Sequence, residues 1–263
     1  MSKVQPIAAF IGAAVLFGNV GTALAQSAEE MNKSNNPLTP TLALNLQDAW
    51  TDSYYGLGDA DSNAFLLRGA TPHKLFGHPQ LLRATLPIVT TPDLPPSGSH
   101  TDVGDLNLFD VFLFKAGSME VGFGPQLTIP TAGRDETGTG KWQAGLAGMF
   151  MAPQHWGIIG GLVTWQASFA GDDDRRDQNN LQAQPFFIYN LPKAWYFRSS
   201  ATLTWDLEAD TYFIPVGAGI GKVWKGGTTT YNAFVEPQWT VAHDGDVPKL
   251  QIFFGLNLQF PIG

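Results

Sequence analysis

The chain has 263 residues, a net charge of −8 and no cysteine, and charged residues make up 14% of it. An ordinary soluble domain has about 25% charged residues, so the composition argues against that class. A mean hydropathy of −0.05, with no apolar run near the length of a membrane helix after residue 25, also argues against helical spans. Because the chain has no cysteine, a lipid-modified cysteine, disulfide bonds and thiolate metal sites are excluded.

The first 25 residues have the pattern of a secretory signal peptide. Lys3 supplies the basic start, Ile7 to Val20 form a short apolar segment, and Ala23-Leu24-Ala25 is a small-x-small cleavage site. We therefore expect the mature chain to begin at Gln26. The alternative is a membrane anchor, which the short apolar segment and the well-formed cleavage site disfavour.

A polar lead, residues 26–40, follows, and we expect it to be periplasmic and poorly ordered. From residue 41 to residue 263, stretches of alternating apolar and polar residues recur about twelve times. In residues 121–129 one face carries Val121, Phe123, Leu127 and Ile129, and residues 250–260 alternate in the same way. This pattern predicts an all-β domain, a transmembrane antiparallel up-and-down β-barrel of about twelve strands whose apolar face meets lipid.

The connections between the predicted strands alternate between short and long. The short ones lie around residues 77–78, 116–118, 153–154, 191–193 and 226–227. The longer, acidic ones lie around residues 57–62, 93–104, 133–140, 171–180, 206–210 and 243–248. Barrels of this class have short periplasmic turns and longer external loops, so we expect both chain ends to lie on the periplasmic side.

The eight tryptophans support the same interpretation, because an amphipathic ring favours the membrane interface. Five fall towards the predicted external ends of strands, namely Trp50, Trp142, Trp165, Trp205 and Trp239. Three fall at predicted periplasmic ends, namely Trp156, Trp195 and Trp224. The alternative, a soluble β-sandwich or barrel with core tryptophans, would not need an interface at both ends of its strands.

Several charged residues occupy strand positions predicted to face the lumen. The candidate lumen and constriction residues are Arg68, Arg83, Asp110, Glu120, Arg198, Asp206 and Glu236. Six glutamines share this face, namely Gln126, Gln143, Gln182, Gln184, Gln238 and Gln251. One interpretation is a selective constriction that contacts a solute. The other is an internal network of ion pairs and hydrogen bonds that only holds the barrel closed.

Enzymatic chemistry has little support in this sequence. A lipid-hydrolysing barrel needs a nucleophilic serine with a histidine in reach at its lipid-facing rim. The five histidines, His73, His78, His100, His155 and His243, lie in or near predicted turns and loops. No Gly-x-Ser-x-Gly elbow, zinc-spaced histidine pair or phosphate loop is present. We expect no enzyme activity, no cofactor and no metal site.

Short motifs, taken in order, resemble a known family. They are Gln80 through Pro87, Gly104 through Asp110, Gln184 through Trp195, Trp205-Asp206, Pro215 through Val223 and Gln259-Phe260-Pro261. Their order is similar to the bacterial outer-membrane proteins named for the meta-pathway of phenol degradation, over about residues 37–262. The resemblance implies a barrel that transports aromatic or other hydrophobic compounds. It implies no functional residues. The chain departs from many barrels in its last residues, Pro261-Ile262-Gly263.

The sequence therefore predicts a passive channel in the outer membrane of a Gram-negative bacterium. The alternative is a non-conducting structural or adhesion barrel, and an acyl-chain enzyme is a minor third hypothesis. The expected partners are outer-membrane lipid and lipopolysaccharide, the barrel assembly machinery and a small-molecule solute. Nucleic acid is not an expected partner.

Overall fold

The computed structural model describes residues 27–96 and 98–261. The predicted signal peptide lies outside the described residues. Within those ranges the elements are one α-helix, two short 3-10 turns and fifteen strand segments. No helix in the described ranges is long and apolar enough to cross a membrane.

The strands form one antiparallel sheet that closes into a barrel, as predicted. Its segments are β1 (Leu42–Tyr54), β2 (Ser62–Leu75), β3 (His78–Thr90), β4 (Thr101–Val103), β5 (Leu106–Ala116), β6 (Met119–Ile129), β7 (Lys141–Gln154), β8 (Gly157–Gly171), β9 (Asn179–Asn190), β10 (Trp195–Ser199), β11 (Leu203–Asp206), β12 (Thr211–Gly217), β13 (Gly219–Gly226), β14 (Thr229–Asp244) and β15 (Pro248–Phe260). The pairs β10–β11 and β12–β13 are halves of interrupted strands, and β4 pairs with β3 alone. Twelve strands therefore make the wall.

The barrel closes where the first and last strands meet. Leu42 lies opposite Phe260, and the β1–β15 ladder continues to Tyr54 opposite Pro248. Closure leaves no sheet edge, so the backbone polar groups of every strand find partners without water.

One end of the barrel, which we call the short-turn end, carries the connections 76–77, 117–118, 155–156, 191–194 and 227–228. The opposite, long-loop end carries residues 55–61, 91–105, 130–140 and 172–178 as extended connections. Residues 207–210, between β11 and β12, also lie at this end, and so do residues 245–247, a connection shorter than predicted because β14 runs to Asp244 and β15 begins at Pro248. The alternation of connections is otherwise as the sequence predicts.

The two faces of each strand differ as the sequence pattern predicts. Outward side chains include Phe123, Val163 and Trp165, which are 52%, 50% and 42% exposed. Because lipid surrounds the wall of a membrane barrel, these apolar side chains are the ones expected to contact acyl chains. Trp142 stands at the long-loop start of β7, whereas Trp195 stands at the short-turn start of β10.

The polar lead forms a helix, α1 (Ala28–Asn35), inside the short-turn end. Ser27 and Glu30 make a reciprocal capping box, with hydrogen bonds of 3.2 and 3.0 Å. Asn32 Nδ2 donates to the Gln154 carbonyl at 2.8 Å, which ties the helix to the barrel wall. The expectation of a poorly ordered lead is therefore wrong. A polar helix of eight residues is unstable alone, so its stability comes from contacts that the sequence does not reveal.

An apolar cluster fills the lumen beside α1. Met31 and Leu38 from the lead pack there and are 3% and 2% exposed. Wall residues of the same cluster include Leu81, Phe109, Val111, Met149, Met151, Ile158, Ile188, Tyr196, Val223 and Phe234. The short-turn half of the barrel is thus a packed core, while the long-loop half holds open space.

Candidate functional site

The long-loop half of the lumen contains a cavity of about 490 Å³, here called the outer cavity. Neutral amides and hydroxyls dominate its wall. All six glutamines predicted to face inward line it, namely Gln126, Gln143, Gln182, Gln184, Gln238 and Gln251. Gln126 Nε2 donates to Gln166 Oε1 at 2.7 Å, and Thr128 Oγ1 donates to the same oxygen at 2.9 Å. Such a wall can donate and accept hydrogen bonds around a polar solute.

A second space of about 130 Å³, the inner cavity, lies beyond the outer one. One side of it is formed by the lead, from Ser34 to Thr41, and the other by β1, β2, β3, β9, β10 and β15. Four residues line both cavities, and we call them the junction. They are Arg68, Arg83, Gln184 and Phe253. The junction therefore lies where the two cavities meet, on the route from the outer cavity towards the lead.

Two of the predicted constriction residues, Arg68 and Arg83, form the charged side of the junction. Arg68 lies opposite Thr85 and Arg83 opposite Ala70, so they are diagonal neighbours on the inner face of β2 and β3. Arg68 Nη1 donates to Gln47 Oε1 at 2.5 Å. The guanidinium of Arg83 stacks on Phe109 at 3.9 Å from the ring centroid. The Nε atoms of both arginines are buried without a hydrogen-bond partner among the described residues.

Arg198 and Glu236 form a buried ion pair in the wall, with Arg198 Nε 2.6 Å from Glu236 Oε2. The Ser200 backbone N–H donates to Glu236 Oε1 at 2.8 Å, and the Ser200 hydroxyl donates to Oε2 at 2.8 Å. Ser200 lies in the interruption between β10 and β11, so the Glu236 carboxylate of β14 accepts a backbone hydrogen bond from this interruption. These two predicted residues are brought together as an internal pair.

Glu120 and Asp206 face inward but lie far from the junction in the fold. Glu120 is at the short-turn start of β6 and accepts a hydrogen bond of 2.6 Å from Asn36 Nδ2 of the lead. Asp206 ends β11 at the long-loop rim, where Arg176 Nη2 donates to it at 2.5 Å. The first holds the lead and the second holds a loop, so neither belongs to the constriction.

Asp110 does not face the lumen, and its assignment there is wrong. It lies opposite Leu82, on the same outer face as Gln80 and His73. His73 Nε2 is 2.9 Å from Asp110 Oδ1, and the Gln80 amide, oriented with its nitrogen towards the carboxylate, donates to Oδ2 at 2.7 Å. Both faces of β5 carry large apolar residues, so its sequence does not reveal which face is inside.

Tyr196 and Asn232 were missed by the sequence analysis. Tyr196 is fully buried, and its hydroxyl donates to Asn232 Oδ1 at 2.5 Å. Asn232 Nδ2 donates to Asn35 Oδ1 of α1 at 2.9 Å. Their positions on the inward face are readable from the alternation of β10 and β14, but their common partner is not, because the helix was not expected.

The histidines and acidic loops form no recognisable catalytic or metal centre. Among residues 27–96 and 98–261, no group of three or more His, Cys, Asp or Glu side chains is placed to hold a metal ion. His243 stacks on Tyr55 with ring centroids 3.9 Å apart. Loop carboxylates make intramolecular contacts, such as Asp177 with Lys141 at 3.1 Å, and this contact lowers the pKa of Asp177.

Comparison with solved structures confirms the fold. The chain is similar to the COG4313 outer membrane channel from Pseudomonas putida F1, with a TM-score of 0.62 and 17% identity over 84% of this chain and 95% of that one. That channel is a member of the phenol-degradation transporter family, so the resemblance inferred from the motifs is supported at the level of the fold.

Other matches are more distant. The KdgM porin matches with a TM-score of 0.45 and 9% identity, over 84% of this chain and 99% of that one. The outer membrane phospholipase of Salmonella typhi matches with a TM-score of 0.40 and 14% identity, over 91% and 99%. Scans against protein-family models and against curated proteins return no match.

Proposed function

We propose that the protein is a passive channel for small solutes in the outer membrane of a Gram-negative bacterium, after removal of residues 1–25. The observation that carries this proposal is the outer cavity, a polar space inside a closed twelve-stranded wall. Amides and hydroxyls that line a cavity can hydrogen-bond to water or to a passing polar solute, whereas a purely structural barrel needs no such cavity. The outward apolar face and the closed sheet fit a bilayer as solvent.

Two features bear on the solute class, and they favour different solutes. The family resemblance favours aromatic or other hydrophobic compounds. The outer cavity instead offers mainly amides and hydroxyls, with Phe213 and Phe253 as its aromatic side chains.

We propose lipopolysaccharide and outer-membrane lipid as the surroundings of the wall, and the barrel assembly machinery as the partner in insertion.

A structural barrel is the second candidate, and the packing of the short-turn half favours it. Helix α1 and the apolar cluster occupy the lumen there, and Asn232, Gln154 and Asn190 anchor the helix by hydrogen bonds. An acyl-chain enzyme has no comparable support in the described residues.

Single-channel recording in a planar bilayer separates the two candidates. The mature chain, residues 26–263, is compared with a variant that begins at Thr41 and so lacks α1. Discrete openings of the mature chain, blocked by a permeating solute, are the result expected of a channel. Silence from both proteins, with heat-modifiable mobility showing that each is folded, would contradict the channel and support the structural barrel.

A further inference from the structure

We propose that the junction is an anion-selective binding site and that its ligand is a small organic carboxylate held by Arg68 and Arg83. This inference rests on the proposed channel function and names the solute class of the same lumen.

The two junction arginines differ from every other arginine in the chain. Of the six arginines, four form ion pairs with carboxylates, Arg134 with Asp102, Arg175 with Asp135, Arg176 with Asp206 and Arg198 with Glu236. Arg68 and Arg83 form none with any described residue. Their protein contacts are an amide and an aromatic ring, which leave both positive charges uncompensated.

Within the described part of the chain, no carboxylate beside the cavities cancels this charge. Asp105 is the one acidic residue among the described residues that line the outer cavity. Its oxygens accept hydrogen bonds from the Thr139 N–H and hydroxyl, both at 2.7 Å, and from the Ala132 N–H at 3.2 Å. The Glu236 carboxylate already binds Arg198 and accepts a hydrogen bond from Ser200. The junction therefore carries an excess of two positive charges, in a lumen where a low-dielectric wall strengthens their field.

An anion at the junction would relieve a repulsion that the fold leaves in place. Arg68 and Arg83 are diagonal neighbours, so their like charges oppose each other. Guanidinium groups bind carboxylates by paired, parallel hydrogen bonds. Neither arginine donates such hydrogen bonds to a carboxylate of the described chain, so these donors are available to a ligand. Rings of arginine or lysine are also the device by which pores select anions.

The residues that line the outer cavity indicate the chemistry of the rest of the ligand. Above the junction, Gln126, Gln166, Gln182 and Gln238 present amides that suit a hydroxylated body. At the junction itself, Phe253 offers one aromatic face. The carboxylate is thus the shared chemistry, and a hydroxylated body has more partners than an aromatic one.

Reversal potentials in a KCl gradient and equilibrium binding to the detergent-solubilised mature protein test the proposal together. The binding probes are gluconate with its neutral counterpart sorbitol, and benzoate with benzyl alcohol. We expect anion preference, and binding of the two acids but not of the two alcohols. The double variant Arg68→Gln/Arg83→Gln should lose the anion preference and weaken acid binding by about tenfold per arginine, the effect of one charge-assisted hydrogen bond.

Two control variants keep the test decisive. Arg176→Gln removes a paired charge at the rim and should leave selectivity and acid binding unchanged. Arg68→Lys/Arg83→Lys keeps both positive charges but removes the planar guanidinium groups that form paired hydrogen bonds. It should therefore retain anion preference while binding acids more weakly. If the glutamine variant fails to fold, the lysine variant still tests the site, because unchanged acid binding in it would overturn a role for the guanidinium groups.

The outcomes separate the site from the channel. Openings with no anion preference, or acid binding unchanged in the glutamine variant, would overturn the carboxylate site and leave the channel standing. A silent bilayer with acid binding that depends on Arg68 and Arg83 would overturn the channel and leave the site. Tighter binding of benzoate than of gluconate would overturn the hydroxylated body alone.

Discussion

His73 and Asp110 meet on the outer wall of the barrel, with His73 Nε2 2.9 Å from Asp110 Oδ1 across the intervening strand β3. The two side chains are 34% and 26% exposed, so both remain accessible at the surface that faces lipid. A polar pair on this surface is stable only while its members satisfy each other, because acyl chains offer no hydrogen bonds.

Asp110→Leu should therefore destabilise the barrel despite placing an apolar residue against lipid. It leaves His73 and the buried Gln80 without their common acceptor, at a cost of about 1–3 kcal/mol. Urea unfolding of the vesicle-inserted protein measures this change. Conductance and ion selectivity should stay as in the parent, since the residue is outside the lumen. A change in selectivity would place Asp110 inside after all.

Glu236→Gln tests the buried pair with Arg198. The amide keeps the shape of the side chain but leaves Arg198, 8% exposed, without its carboxylate. Breaking a buried ion pair in this way costs about 3–5 kcal/mol. Denaturant unfolding checks the loss, with Arg176→Gln at the exposed rim as the matched variant, expected to cost about 1 kcal/mol or less. Equal losses in the two variants would contradict a special role for the internal pair.

Gly221→Ala tests the close packing around Tyr196. A Cβ at Gly221 would lie 2.3 Å from the Tyr196 hydroxyl oxygen, so the ring and its hydrogen bond to Asn232 must shift. Overpacking of this kind costs about 1–3 kcal/mol. The control is Gly69→Ala, where a Cβ meets nothing within 4 Å. Thermal unfolding should distinguish the two alanine variants, and similar midpoints would argue against tight packing at Tyr196.

Acidification should loosen helix α1 at the short-turn end. The Lys225 ammonium donates to the Glu30 carboxylate, and this contact holds the pKa of Glu30 below its ordinary value of 4.5. A lowered pKa stabilises the docked helix above the ordinary value, and the contribution is lost as the pH falls through the lowered one. Hydrogen exchange of residues 28–35, normalised to unstructured rates, should therefore accelerate below about pH 4.5.

The variant Lys225→Gln is the control for this pH effect. It removes the largest contribution that lowers the pKa of Glu30 and leaves the smaller one from Ser27, so the pH dependence of helix protection should be reduced. An undiminished acid response in the variant would show that another group governs the docking of α1.

The period-two pattern and the alternating connections were sufficient to predict the closed barrel and the inward glutamines. Lipid accounts for this success, because it allows one face of each strand to be apolar and requires every backbone group to be paired. The alternation did not predict which face of β5 points into the lumen. Phe109 and Val111 point inward there, and Leu108 and Asp110 point outward. With apolar residues on both faces, only the register with β3 decides the matter.

What the sequence determined by itself was the class of solvent, the strand count and the inward position of Arg68, Arg83, Arg198 and Glu236. The tertiary structure decided which of those charges are paired. Arg198 meets Glu236 across a gap in two strands, whereas Arg68 and Arg83 meet no acid. Charge pairing depends on distances between strands far apart in the chain, as does the docking of α1, and local alternation carries no information about either.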